Sequence, residues 1–266
     1  MSTARRSILA RAAALVAMGF LVLGGARAAE VRVVSSGGFA AAYRALAPEF
    51  ERQTGNTLAT EWGPSMGRTP QAVPARLARG EPIDVLIMVG YALDDLVKQG
   101  KVLPDSRAAL ARSGIGVVVR QGAPRPDVGT VDGLRRALLA AKSIAYSDSA
   151  SGVYIQDEML KRLGIAEQVA GKARMIPAEP VGEVVARGEA EIGFQQISEL
   201  KPIKGIELVG PLPPEVQLYT VFSAGVLADA KEPQAARALI AFLASPAAAP
   251  AIAASGMEPL GASAPR

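Results

Sequence analysis

The sequence predicts an α/β protein of two lobes, each a mostly parallel sheet flanked by helices, joined by a two-strand hinge. Short β-branched runs alternate with segments whose apolar residues recur at three and four positions, the pattern of strand–helix units and parallel sheets. Gly or a Ser/Gly cluster punctuates most of the junctions. Two extended apolar stretches, 113–120 and 218–227, read as crossings between lobes, and two crossing strands make a hinge.

The elements follow in order. Residues 31–34 are a strand ended by Ser35-Ser36-Gly37-Gly38. Residues 39–54 form a helix, with Phe39, Tyr43, Leu46 and Phe50 on one face and Gly55 as its stop. Strand 58–62 leads into a Gly-Pro-Ser-Met-Gly loop, and helix 72–79 starts irregularly because of Pro70 and Pro74. Strand 83–89, helix 93–99, strand 115–120, helix 131–140 and strand 143–146 come next, then helix 155–163 closed by Gly164. Helix 181–187, strand 191–195, the apolar stretch 216–226 and helix 233–243 complete the pattern, and the Ala/Pro-rich tail after Ser245 is expected to fray. With the crossings as hinge, residues 29–113 and 224–266 make lobe one and residues 114–223 make lobe two.

The first 28 residues stand apart. Arg5 and Arg6 open a positive segment, an apolar run spans 13–23, and Ala26-Arg27-Ala28 offers a small-x-small cleavage site. That is the plan of a secretory signal, too short in its apolar part to span a bilayer. The mature chain is therefore expected in the periplasm, without membrane insertion after cleavage. Arg5, Arg6, Arg11 and Arg27 account for the whole-chain charge of +4: without them the 29 basic residues fall to 25, against 25 acidic ones. The excess says nothing for nucleic acid, and no basic cluster with interleaved aromatics occurs.

The chain has no Cys and no His. Disulfides, zinc sites built on those residues, and Ser-His or Cys-His nucleophiles are all excluded. The expectation is a binding protein with no catalytic residue, no metal and no cofactor, that is, not an enzyme.

Three loops have the composition of a ligand site: Ser35-Ser36-Gly37-Gly38, residues 63–68 and residues 147–152. Each lies between a strand and a helix, where open α/β sheets bind ligands and where free N–H groups favour anions. Gly63-Pro64-Ser65-Met66-Gly67 also matches the G-x-S-x-G elbow of hydrolases, but without His the elbow has no base. Arg68 could grip a carboxylate in a bidentate contact. Asp94-Asp95 reads as solvated surface, and Trp62 and Tyr154 as core aromatics with a ligand contact as the alternative.

Four segments carry a family resemblance. Residues 31–55 fit a first strand and helix without a gap. Gly80-Glu-Pro-Ile-Asp-Val-Leu-Ile, Ser151-Gly152-Val153-Tyr154 and Arg187-Gly-Glu-Ala-Glu-Ile-Gly-Phe194 follow in matching order and spacing. Together, residues 30–256 resemble the periplasmic molybdate-binding proteins and the wider group of bacterial extracellular solute-binding proteins. The resemblance implies a type II periplasmic-binding fold, a monomer that closes on a tetrahedral oxyanion held by neutral donors and then docks on the membrane permease of an ABC importer. Carried over by position, the pocket includes Ser65, Val89, Ser151 and Ala178, with the last match open to sliding toward Val181. Gly152 and Tyr154 flank Ser151 in its segment. Two positions depart: Gly38 replaces the family's serine, leaving Ser35 or Ser36 to compensate, and Gln196 replaces its tyrosine. About five extra residues fall near 68–72 beside the site. Molybdate or tungstate is the implied ligand and a small organic carboxylate the alternative. A ligand sensor on the same fold, or an exported hydrolase using Ser65 and a Lys base, are the other readings, although no S-x-x-K starts at Ser65.

Overall fold

The β-branched run after Ala29 forms β1 (Glu30–Ser35), and the amphipathic segment behind it forms α1 (Gly37–Thr54). The computed structural model containing them describes residues 28–261, so the expected secretory signal lies, but for Ala28, outside the described residues. α1 starts two residues earlier than the spacing indicates. Ser36 is extended in front of it, and Gly55 ends it at φ 73°, a left-handed conformation that Gly adopts without steric cost. Phe39, Ala42, Tyr43, Leu46 and Phe50 line its buried face.

The chain continues through β2 (Thr57–Trp62), α2 (Val73–Ala78), β3 (Val85–Val89), α3 (Gly90–Lys98) and β4 (Ala108–Ser113). It then enters the second sheet at β5 (Ile115–Arg120), followed by α4 (Val131–Ala140), β6 (Ile144–Ser147) and α5 (Ala150–Tyr154). A π-helical turn, Ile155–Met159, joins α5 to α6 (Leu160–Arg162). Next come α7 (Ala166–Val169), β7 (Ala173–Ile176), α8 (Val181–Ala186), β8 (Ile192–Gln196), α9 (Ile197–Leu200) and β9 (Ile206–Pro211). The return brings β10 (Thr220–Val226), α10 (Pro233–Leu243), α11 (Ala249–Ala254) and β11 (Glu258–Pro259).

The result is a two-lobed α/β fold of two helix-flanked sheets. The first is ordered β11-β4-β10-β3-β1-β2 and the second β7-β6-β8-β5-β9. Both are mixed rather than mostly parallel. β1, β2 and β3 pair in parallel, as do β6, β7 and β8, while β4, β10, β5 and β9, the strands entering and leaving the crossings, run antiparallel to their neighbours. Four strands escape sequence patterning, among them the two-residue β11 in the tail. β4 reads Ala-Ala-Leu-Ala-Arg-Ser, a helix-favouring composition held as a strand by pairing with β10 and β11. β7 and β9 carry no clean alternation.

Sheet membership changes at Gly114 and again between Pro211 and Thr220, so a division at 223/224 falls inside β10. Gln217 ties the two crossings: its Oε1 accepts from Ile115 N (2.8 Å) and its Nε2 donates to Ile115 O (3.0 Å). The tail does not fray through 261. α11 buries Ile252 in the first core, and Leu260 N donates to Leu110 O.

Asp84, in the Gly80-Glu-Pro-Ile-Asp segment, has a structural job. Its buried carboxylate accepts from the backbone N–H groups of Arg32 (2.8 Å), Lys231 (2.7 Å) and Glu232 (3.1 Å), binding β1 to the approach to α10. Each lobe has its own large apolar cluster, around Phe39, Phe50 and Leu239 in one and around Leu134, Ile155 and Phe194 in the other.

Candidate functional site

All three Ser/Gly loops end on one cleft between the sheets, of about 420 Å³. They follow the carboxyl ends of β1, β2 and β6, and the ends of β3, β7 and β8 contribute too, which is where parallel strands leave N–H groups free for a ligand.

Of the residues anticipated from sequence, Ser36, Gly37, Gly38, Ser65, Val89, Ala178 and Gln196 line this cleft. Ser65 Oγ accepts from Val89 N (3.0 Å), so that N–H is already used within the protein, while the Ser65 hydroxyl hydrogen remains to donate. The Gly63–Gly67 segment thus acts as a wall of the cleft, not as a nucleophile elbow. Gly38 explains its own departure from the family's serine: a Cβ there would fall 2.0 Å from Cζ of Phe222, whose ring occupies the space. Gln196 Nε2 donates to Thr220 Oγ1 (2.8 Å), leaving Oε1 buried without a partner. Ser36 Oγ and Thr69 Oγ1 are buried and unpartnered as well. Unpaired buried polar atoms on a cavity wall are costly unless a ligand or water meets them.

The other anticipated residues lie elsewhere. Arg68 is exposed and off the cleft lining, because the loop turns it to solvent after Gly67 at φ 100°. Ser35 is wholly buried at the end of β1, where its Oγ donates to Ser36 O (3.2 Å). Ser151 is also wholly buried, its hydroxyl bonded to those of Ser147 (3.1 Å) and Ser149 (3.3 Å). Ser147 and Ser149 face the cleft in its place. Gly152 is required for packing, since a Cβ there would meet Ser147 O at 1.6 Å. Tyr154 belongs to the second core and donates to Val216 O (2.8 Å). Trp62, by contrast, does reach the cleft, edge-on to Tyr43.

Sequence reasoning missed the charged part of the site. The lining carries three carboxylates, Asp148, Glu179 and Glu199, and no Lys or Arg among the described residues. Asp148 Oδ2 accepts from Ala178 N (3.0 Å), which holds Ala178 in a left-handed conformation at φ 56°. Glu179 is half-exposed and paired with Arg187 (2.7 Å). Glu199 has neither task. It sits on α9, which packs across the lobes on α1, and its Oε1 lies 2.6 Å from where a Cβ of Gly37 would be. Burial, reinforced by the charge of Asp148, pushes its carboxyl up to about 7, against the pull of hydrogen bonds from Gln195 and the Gln196 backbone. Gln195 is oriented for that contact, since its Oε1 accepts from Val181 N (2.9 Å) and leaves its Nε2 free to donate. The one sequence clue to Glu199 was negative: without His, a group titrating near neutrality has to be a displaced carboxyl or amine.

Comparison with known proteins gives a concordant picture. Residues 31–258 match the profile of the bacterial extracellular solute-binding proteins. An aconitate isomerase of Pseudomonas sp. is 52% identical over 228 residues, covering 86% of this chain and 87% of that protein. The molybdate-binding protein ModA of Azotobacter vinelandii is 29% identical over 243 residues, covering 87% and 90%. The solved periplasmic molybdate-binding protein of Azotobacter vinelandii superposes with a TM-score of 0.69 at 22% identity, covering 89% of this chain and all of that one. The first of these relatives is an enzyme by name, which overturns the expectation of a protein that binds without catalysing.

Proposed function

The chain belongs to the bacterial extracellular solute-binding protein family, and from that premise we propose that it uses the family's interlobe cleft as an active site, isomerising an unsaturated tricarboxylate of the aconitate type. The observation that carries this is the 52% identity to an aconitate isomerase through nearly the whole of both chains. The cleft supports it chemically. The hydroxyls of Ser36, Ser65 and Thr69 and the first turn of α1 offer neutral donors to carboxylate oxygens. Trp62 and Phe222 supply apolar walls for the carbon skeleton. Specificity for an organic anion does not need Arg68.

The secretory pattern at the N-terminus supports a periplasmic place for this activity. Incubation of the purified protein with cis-aconitate, followed by chromatographic separation of the two isomers, tests the proposal. Approach to the same isomer ratio from either side is the expected result, and an unchanged substrate at micromolar protein refutes it.

A second reading keeps the cleft as a carrier site that delivers an oxyanion such as molybdate or tungstate to an ABC permease. It is favoured by the 29% identical molybdate-binding relative and by the hydroxyl-rich lining. A thermal-shift panel of molybdate, tungstate, sulfate and tricarboxylates separates the two, since a ligand raises the melting midpoint by binding the folded form.

A further inference from the structure

Geometric isomerisation of an unsaturated acid requires the double bond to be lost and remade. In a substrate of the aconitate type, the methylene beside the double bond carries a carboxylate, so its C–H is acidified by the allylic system and by that carboxylate. Removing this proton breaks the C–H bond and spreads the electron pair over three carbons. Returning a proton to the far carbon of the three forms a new C–H bond and places the double bond one position along. The geometry of the new double bond is that of the former single bond, which rotates freely before deprotonation. No oxidant or added nucleophile enters, and the protein must supply only a base at neutral pH that reaches both terminal carbons.

The chain restricts what that base can be. It has no His and no Cys, and the cleft lining carries no Lys or Arg among the described residues. Of the three lining carboxylates, Asp148 is bound to the Ala178 backbone and Glu179 is paired with Arg187. Glu199 alone is free of structural duty, and it lies at the junction of the lobes, against Gly37, in reach of whatever both lobes hold. Resting on the isomerase reading above, we propose that Glu199 is the catalytic residue of this cleft, a single carboxylate that takes the methylene proton of the bound tricarboxylate and returns it to the other end of the allylic system. Gln195, fixed by Val181 N, is the positioning residue that aims the carboxylate.

The placement has further consequences. Gly37 leaves room for Glu199 Oε1, so the site requires Gly there for space and not for a backbone angle. Asp148 is the charged group of the surrounding elements that pushes on Glu199, and it favours the protonated form, so the base becomes available only as pH rises through about 7. One carboxyl serving both carbons returns the proton it took whenever reprotonation outruns exchange with water, and in that case part of the original hydrogen survives in the product.

The test uses the intact protein and cis-aconitate. For wild type, the expected results are kcat/KM rising with pH through about 7, and transfer of part of the deuterium from methylene-labelled substrate to the new methylene of the product. Glu199→Gln is expected to lower kcat at least about 100-fold, the usual contribution of a general base, while cis-aconitate still raises its melting midpoint. Glu199→Asp, which withdraws the base, is expected to lose rate and keep binding. Retained label supports one base serving both carbons, and a Glu199→Gln protein with wild-type kcat overturns the assignment. These outcomes differ from failure of the isomerase reading itself, in which the wild-type protein leaves both isomers unchanged and the assignment falls with it.

Discussion

Replacing Glu199 by Gln should stabilise the unliganded protein, and only above a certain pH. In the folded state the carboxyl is pushed from 4.5 up to about 7, so the native protein holds its proton more tightly than the unfolded chain does. As pH rises from 4.5 the unfolded chain releases that proton first, and stability is lost progressively until about pH 7; above it the full penalty applies. At about 1.4 kcal/mol per unit, the upper bound is roughly 3 kcal/mol. Glu199 keeps some access to water through the cleft, which screens the charge, so ~1–2 kcal/mol is the working figure. Gln has the shape of the neutral acid and pays no such cost. For a chain of this size ~2–4 °C per kcal/mol applies, so the variant should melt roughly 2–8 °C above wild type at pH 8 and level with it at pH 4.5. Differential scanning calorimetry at five or six pH values decides the matter. A variant that melts at or below wild type at pH 8, or by the same increment at every pH, means that Glu199 is not a strained carboxyl and the reasoning fails.

Asp84→Ala removes one acceptor from three backbone N–H groups and should cost about 2–4 kcal/mol in urea denaturation, because charged hydrogen bonds are lost and buried donors left bare. Ser65→Ala strands Val89 N–H and should cost ~1–2 kcal/mol while weakening tricarboxylate binding several-fold, read by calorimetric titration; unchanged affinity removes Ser65 from the site. Gly38→Ser drives a side chain into Phe222, so it should cost ~1–3 kcal/mol and block the cleft. Arg68→Ala should leave the melting midpoint and tricarboxylate affinity within error, as expected of an exposed side chain off the cleft; a tenfold loss of affinity would restore Arg68 as a clamp.

Where residues act through their own neighbours, the sequence was a sound guide. The strand 115–120 and the helices 131–140 and 233–243 occupy the segments their periodicity indicates. The three Ser/Gly loops converge as the strand-end rule requires. Where pairing overrides propensity it was not, as with the Ala-rich β4, whose strand state depends on β10 arriving more than a hundred residues later.

Single side chains inside the site show the same division. Ser151 and Ser149 are two residues apart in one loop with the same hydroxyl, and only the helical turn of α5 decides that one is buried and the other faces the cleft. Arg68 looked like a carboxylate clamp because its type suits the task, but a left-handed Gly67 turns it outward.

By itself, then, the sequence determined the α/β alternation, the loops that line the cleft, and the absence of His and Cys, which leaves displaced carboxyls or amines as the groups that titrate near neutrality. Only the tertiary structure decided which carboxyl is displaced. Glu199 sits on a helix of four residues with no periodic signature, and its raised proton affinity comes from burial where α9 packs on α1 and from Asp148, both set by residues far from it in the chain.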